Sequence, residues 1–133
     1  MEGEKKKILI VDDDSFLLDM YALKFSQNNF EVYTASLATQ AIEKLKKGLT
    51  PDVMLMDIIM PEMNGFEMLE QINKENLCPN GLKIFLSNKS EQADIEEGKR
   101  LGAVGYIVKA NSTPTEVIEQ VIKILEKKIV IPK

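Results

Sequence analysis

The sequence predicts an α/β fold: an open, doubly wound parallel sheet of five strands with helices on both faces. Three observations predict it. Short aliphatic runs alternate with longer amphipathic segments five times along the 133 residues. Most of the short runs are apolar at nearly every position, as in strands buried on both faces of a sheet. Five such units are too few to close an eight-unit barrel, so the sheet stays open.

The elements follow in order. Ile8 to Val11 is aliphatic throughout and reads as a buried strand. Ser15 to Gln27 carries Leu17, Leu18, Tyr21 and Phe25 at helical spacing. Glu31 to Thr34 is a second, more polar strand. Ser36 is a candidate cap for a helix through Ala41, Ile42 and Leu45, which Gly48 stops. Val53 to Met56 is the third strand, followed by a turn at Pro61, Asn64 and Gly65 and a helix from Phe66 to Asn73. Lys83 to Leu86 is the fourth strand, and Glu91 to Leu101 a charged helix ending at Gly102. Val104 to Val108 is the fifth strand. Thr113-Pro114-Thr115-Glu116 reads as a capping box with proline at the first helical position, opening a last helix through Val117, Ile118, Val121, Ile122 and Leu125. The expected organisation is one domain over residues 1–133, with a core of about 6–126 and a tail over 127–133. Ile129 to Ile131, apolar after two lysines, points to a packed tail or the start of a linker.

Composition narrows the function. Seventeen basic and 21 acidic residues leave a formal charge of -4, without the basic footprint of a nucleic-acid binder. No apolar run reaches the length of a membrane span, and residues 1–7 lack the apolar stretch of a signal peptide. One cysteine, Cys78, excludes an internal disulfide. These features point to the cytoplasm. The absence of histidine excludes a histidine base, a histidine metal ligand and an internal phosphohistidine.

The polar residues fall where such folds place their sites. Ligands of open α/β sheets bind beyond the carboxyl ends of the strands, at the point where strand order reverses. After the first strand come Asp12, Asp13 and Asp14; after the third, Asp57; after the fourth, Ser87; after the fifth, Lys109. The second strand passes into nothing distinctive. In the flavodoxin-like (βα)5 order 2-1-3-4-5, strands one and three are neighbours and strand two is an edge. The carboxylates then straddle the switch point.

An oxygen-only cluster suits Mg²⁺, with Mn²⁺ as the alternative. A carboxylate can also attack phosphorus and form an acyl phosphate. Positive charge around the transferring oxygens is then required. Lys109 supplies that charge and Ser87 a hydroxyl donor. Asp14 reads as an N-cap. Met54, Met56, Met60, Met63 and Met68 read as core and loop packing.

Ile8-Leu-Ile-Val-Asp-Asp-Asp14, Pro51-Asp-Val-Met-Leu-Met-Asp57, Met60-Pro-Glu-Met-Asn-Gly65, Ile84-Phe-Leu-Ser87 and Gly105-Tyr-Ile-Val-Lys109 together resemble the receiver domains of two-component signalling. The likeness covers nearly the whole chain. It implies that Asp57 accepts a phosphoryl group from a partner's phosphohistidine. It implies that Asp13 binds Mg²⁺ directly and Asp12 mainly through water, with Asp57 and the main-chain carbonyl of Ile59 completing the ligands. It implies that Ser87 turns toward the phosphoryl group and that Tyr106 repacks with it, altering the face of the fourth helix, fifth strand and fifth helix. Such a protein is a phosphoacceptor switch, not an enzyme turning over substrate. Its implied partners are a sensor histidine kinase or histidine phosphotransfer protein and an output protein or fused output domain, without direct nucleic-acid or membrane contact. It would be a monomer or a phosphorylation-linked homodimer.

Several positions depart from that pattern. Ala110 stands where proline normally follows the lysine, often after a cis bond. A cis bond before a non-proline residue costs about 3–4 kcal/mol, so the Lys109 loop is either trans and differently shaped, or strained and compensated. Asn111 replaces a usually apolar residue, and Asn88 a small one, which narrows access to the site. Ile59 and Lys89 occupy positions that tune acyl-phosphate lifetime in the family, which implies an altered dephosphorylation rate. Two other functions fit parts of the sequence. A degenerate receiver would act as a constitutive docking module. A haloacid-dehalogenase-like phosphatase would use Asp12 as nucleophile and Asp14 as acid/base, but leaves Asp57 without a role. A flavin site is disfavoured because the first βα loop is acidic.

Overall fold

Residues 4–129 are described by the computed structural model, with the backbone alone for residues 128 and 129. The strands are β1 (Lys6–Val11), β2 (Phe30–Ala35), β3 (Val53–Met56), β4 (Leu82–Ser87) and β5 (Gly105–Val108). The helices are α1 (Ser15–Gln27), α2 (Ala38–Lys46), α3 (Gly65–Lys74), α4 (Gln92–Arg100) and α5 (Pro114–Ile129). All strand pairings are parallel, and the order is β2-β1-β3-β4-β5, as the sequence predicts. Of the expected tail, residues 127–129 continue α5, and 130–133 lie outside the described residues.

Alternation along each strand splits the core in two. Leu9, Val11, Met54, Met56 and Phe85 face one side, where Ile42 and Leu45 of α2 and Met68, Leu69 and Ile72 of α3 cover them. Ile8, Ile10, Val53, Leu55, Ile84, Leu86 and Ile107 face the other, under Leu18, Tyr21 and Phe25 of α1 and Val117 and Val121 of α5. Covering both faces is what lets the central strands be apolar at every position. Among the described residues, no helix is long and apolar enough to cross a membrane.

The helix ends show which local signals held. Thr113 and Glu116 form the expected capping box: the Thr113 N–H donates to Glu116 Oε1 at 2.8 Å, and the Glu116 N–H to Thr113 Oγ1 at 3.2 Å. Gly48 stops α2 with φ +111°, a backbone conformation open mainly to glycine. Ser36 does not cap α2. The helix begins one residue later, at an N-cap Leu37 that makes no side-chain cap bond. Ser36 instead donates its N–H and hydroxyl to Gln40 Oε1, at 2.9 and 3.0 Å.

Candidate functional site

Strand register brings the two central carboxylates together. Val11 pairs with Met56, so the next residues, Asp12 and Asp57, leave adjacent strands side by side. Their main chains are fixed: the Asp12 N–H donates to the Ala35 carbonyl at 3.1 Å, and the Asp57 N–H to the Val11 carbonyl at 2.9 Å. Both residues are buried, Asp12 to 2% exposure and Asp57 to 8%. Asp13 is exposed, yet one carboxylate oxygen from each of Asp12, Asp13 and Asp57 lies within 4.8 Å of the others.

Lys109 closes the cluster from the residue that follows β5. Its Nζ lies 2.8 Å from Asp12 Oδ2 and 3.0 Å from Asp57 Oδ2. The second oxygens are also engaged: Asp12 Oδ1 accepts from the Asp14 N–H at 2.9 Å and Asp57 Oδ1 from the Ile58 N–H at 2.7 Å. Burial pushes the Asp12 carboxyl above its ordinary pKa, outweighing the hydrogen bond from Lys109. Burial opposes the charged Lys109 ammonium, but Asp12 and Asp57 together raise its pKa above the usual value. Lys109 is therefore a firm point charge.

Three carboxylates face one ammonium, leaving a surplus of two negative charges when all are ionised. A hard divalent cation matches that surplus, and the all-oxygen donor set suits Mg²⁺. Asp12, Asp13 and Asp57 are the side chains that could hold it. Ile59 follows Asp57 in the same loop and is 63% exposed.

Lys109 begins a short 3₁₀ turn, Lys109–Asn111. Among the described residues no peptide bond is cis, so the Lys109–Ala110 bond is trans. Asp14 serves as the N-cap of α1, accepting from the Leu17 N–H at 3.1 Å. The acid/base required by the phosphatase reading is thus a helix cap.

Ser87 pairs in register with Val108, one residue before Lys109, and is 1% exposed. Its Oγ accepts from the Lys89 N–H at 3.3 Å. Tyr106, half-buried on β5, donates its hydroxyl to the Lys89 carbonyl at 2.6 Å. Burial, reinforced by the charges of Asp94 and Asp57, pushes its phenol up to about 12. Asn88 is exposed beside Ser87.

Gly65 was legible only as a turn residue, and its role is different. A Cβ there would lie 2.2 Å from the Asp57 carbonyl oxygen and 2.9 Å from Ile58 Cα. Its N–H donates to the Ile58 carbonyl at 2.8 Å. Glycine is needed because α3 starts against the backbone that carries Asp57. Asn64 caps that start in a full capping box with Glu67; the Asn-x-x-Glu spacing was the signal for it.

The sequence matches the response regulator receiver domain family over residues 8–122. It is 38% identical over 120 residues to the chemotaxis protein CheY of Thermotoga maritima, covering 90% of this chain and 97% of that protein. It is 32% identical to the alkaline phosphatase synthesis transcriptional regulatory protein PhoP of Bacillus subtilis, over 92% of this chain but 49% of the relative. The chain thus spans nearly all of that CheY and about half of that transcriptional regulator. Among solved structures, a CheY-like receiver domain protein of Methanospirillum hungatei superimposes with a TM-score of 0.84 at 29% identity, covering 94% of this chain and 97% of that one. CheY4 of Vibrio cholerae gives 0.83 at 26% identity, covering 91% and 99%.

Proposed function

Because the chain belongs to the response regulator receiver domain family of two-component systems, a family of signalling switches rather than enzymes of turnover, we propose that Mg²⁺-dependent transfer of a phosphoryl group to Asp57 sets its state. The observation that carries this reading is the cluster of Asp12, Asp13 and Asp57 with Lys109 bridging two of them.

The chemistry follows from the positions. An Asp57 carboxylate oxygen bonds to phosphorus as the bond from phosphorus to the donor's imidazole nitrogen breaks, giving an acyl phosphate. Asp12, Asp13, Asp57 and the Ile59 carbonyl would hold Mg²⁺, which would supply positive charge beside the transferring oxygens. Lys109 supplies a second positive charge, and the Ser87 hydroxyl donates to the phosphoryl group. Tyr106 then carries the change to α4, β5 and α5, a two-state element biased by a local charge.

The whole chain acts as one receiver domain in the cytoplasm. Its donor is a sensor histidine kinase or histidine phosphotransfer protein. Its output is a partner protein or a fused domain, with the chain a monomer or a phosphorylation-linked homodimer. Ile59 and Lys89 set how long the acyl phosphate lasts, and Asn88 narrows access to it. Exchange of Ile59 and Lys89 for commoner residues should change the dephosphorylation rate; an unchanged rate would remove that role.

The test is phosphotransfer. With Mg²⁺ and a phosphorylated histidine phosphotransfer protein, label should move to the wild type and not to Asp57→Asn. Label on Asp57→Asn but not on Asp12→Asn would instead favour Asp12 as nucleophile. No label on any form, with Mg²⁺ binding established, would favour a constitutive docking module.

A further inference from the structure

Helix α4 is weakly anchored. Gly98 is its only buried residue, and its N-cap, Glu91, makes no side-chain cap bond. The bare Cα of Gly98 allows a close approach to the sheet: a Cβ there would lie 3.2 Å from Phe85 Cδ2 and 3.4 Å from Tyr106 Cδ2. With so little apolar burial, polar tethers decide where the start of α4 sits.

One residue gathers those tethers. The Lys89 N–H donates to Ser87 Oγ at 3.3 Å, and the Lys89 carbonyl accepts the Tyr106 hydroxyl at 2.6 Å. Lys89 Nζ lies 3.6 Å from Asp94 Oδ1, in the first turn of α4. A carboxylate is favoured at that helix end, so Asp94 is a stable anchor. The main chain of Lys89 thus links the serine and the tyrosine, while its side chain links that main chain to α4.

We propose that the Lys89–Asp94 ion pair is a clasp that positions the Lys89 main chain between Ser87 and Tyr106, and so sets the fraction of molecules in which Tyr106 is turned in on the β4–α4 loop. Lys89 and Asp94 are positioning residues. Without the pair, the loop can leave the tyrosine hydroxyl and take its acceptor with it. The consequence for signalling rests on the reading of Asp57 as phosphoacceptor, but the tyrosine population does not.

The experiment measures Tyr106 χ1 populations by NMR on the full chain without any phosphodonor. The forms compared are wild type, Asp94→Asn, Lys89→Met and the charge swap Lys89→Asp with Asp94→Lys. A partly exposed pair should shift the inward-to-outward ratio about two- to fivefold toward outward in either single variant. The swap should recover part of the shift, limited by a cation at the start of α4, which a purely structural role for either side chain would not do. Wild-type ratios in both folded single variants would overturn the clasp, as would a swap no better than the singles. Phosphorylation of the same samples separates the two readings. Absence of phosphoryl uptake in every form, wild type included, would remove the Asp57 assignment and leave the tyrosine result standing.

Discussion

The ends of β1 and β3 and the edge formed by α4 and β5 are held by different forces. At the first, Asp12 and Asp57 are buried, their main chains are fixed to neighbouring strands, and every carboxylate oxygen has a partner. At the second, α4 buries only Gly98, its first turn is tied to Lys89 of the preceding loop by one partly exposed ion pair, and that loop accepts the Tyr106 hydroxyl. The difference teaches how a switch divides its labour. Chemistry needs groups that do not move, and signalling needs an element whose alternatives differ by little free energy. Ser87 and Lys89 join the two regions.

The largest effect should come from removing the central cation. Lys109→Ala leaves Asp12 and Asp57 buried without their partner, and should lower stability by about 3–5 kcal/mol at neutral pH. Urea unfolding measures this; a loss below about 1 kcal/mol would show that the fixed region does not depend on the pair. Gly65→Ala should come next, losing about 1–3 kcal/mol through a Cβ forced onto the Asp57 backbone. A wild-type urea midpoint would mean that α3 shifts freely. Mg²⁺ should then sharpen the contrast. At about ten times its dissociation constant it should raise unfolding free energy by about 1.4 kcal/mol, and the gain should shrink strongly in Asp13→Asn. An undiminished gain would place the ion elsewhere.

The smallest effect should be at the loose edge. Tyr106→Phe removes one hydrogen bond and should lose about 0.5–1.5 kcal/mol. Its phenol pKa is raised from about 10 to about 12 in the fold. The neutral phenol is therefore favoured in the folded state, and its contribution should be present below pH 10 and decline as pH rises to about 12. Wild type should lose more stability across that window than Tyr106→Phe. Parallel curves would show that the phenol is not held by the fold.

Much of the fixed region was legible in the sequence because its signals are local. A run such as Ile8 to Val11 has one stable place, a doubly covered strand, and the residue after it must lie at the strand's end. Asp12, Asp57, Ser87 and Lys109 follow from that rule and from strand order. The loose region was legible only in part. Tyr106 was recognisable from the company it keeps, but the Lys89 contacts join loop, strand and helix, and no spacing announces them. Ser36 misled because a serine before a helix caps it only if the helix starts at the next residue. Gly65 looked like a turn glycine because sequence does not reveal how closely two backbones approach.

The central claim is that Asp57 is the phosphoacceptor of a Mg²⁺-dependent switch. Intact mass after incubation with Mg²⁺ and a small-molecule phosphodonor tests it most directly, with Asp57→Ala beside the wild type. The wild type should gain one phosphoryl group and the variant none. A gain in both forms, or none in the wild type with Mg²⁺ bound and a phosphohistidine donor also failing, would contradict it.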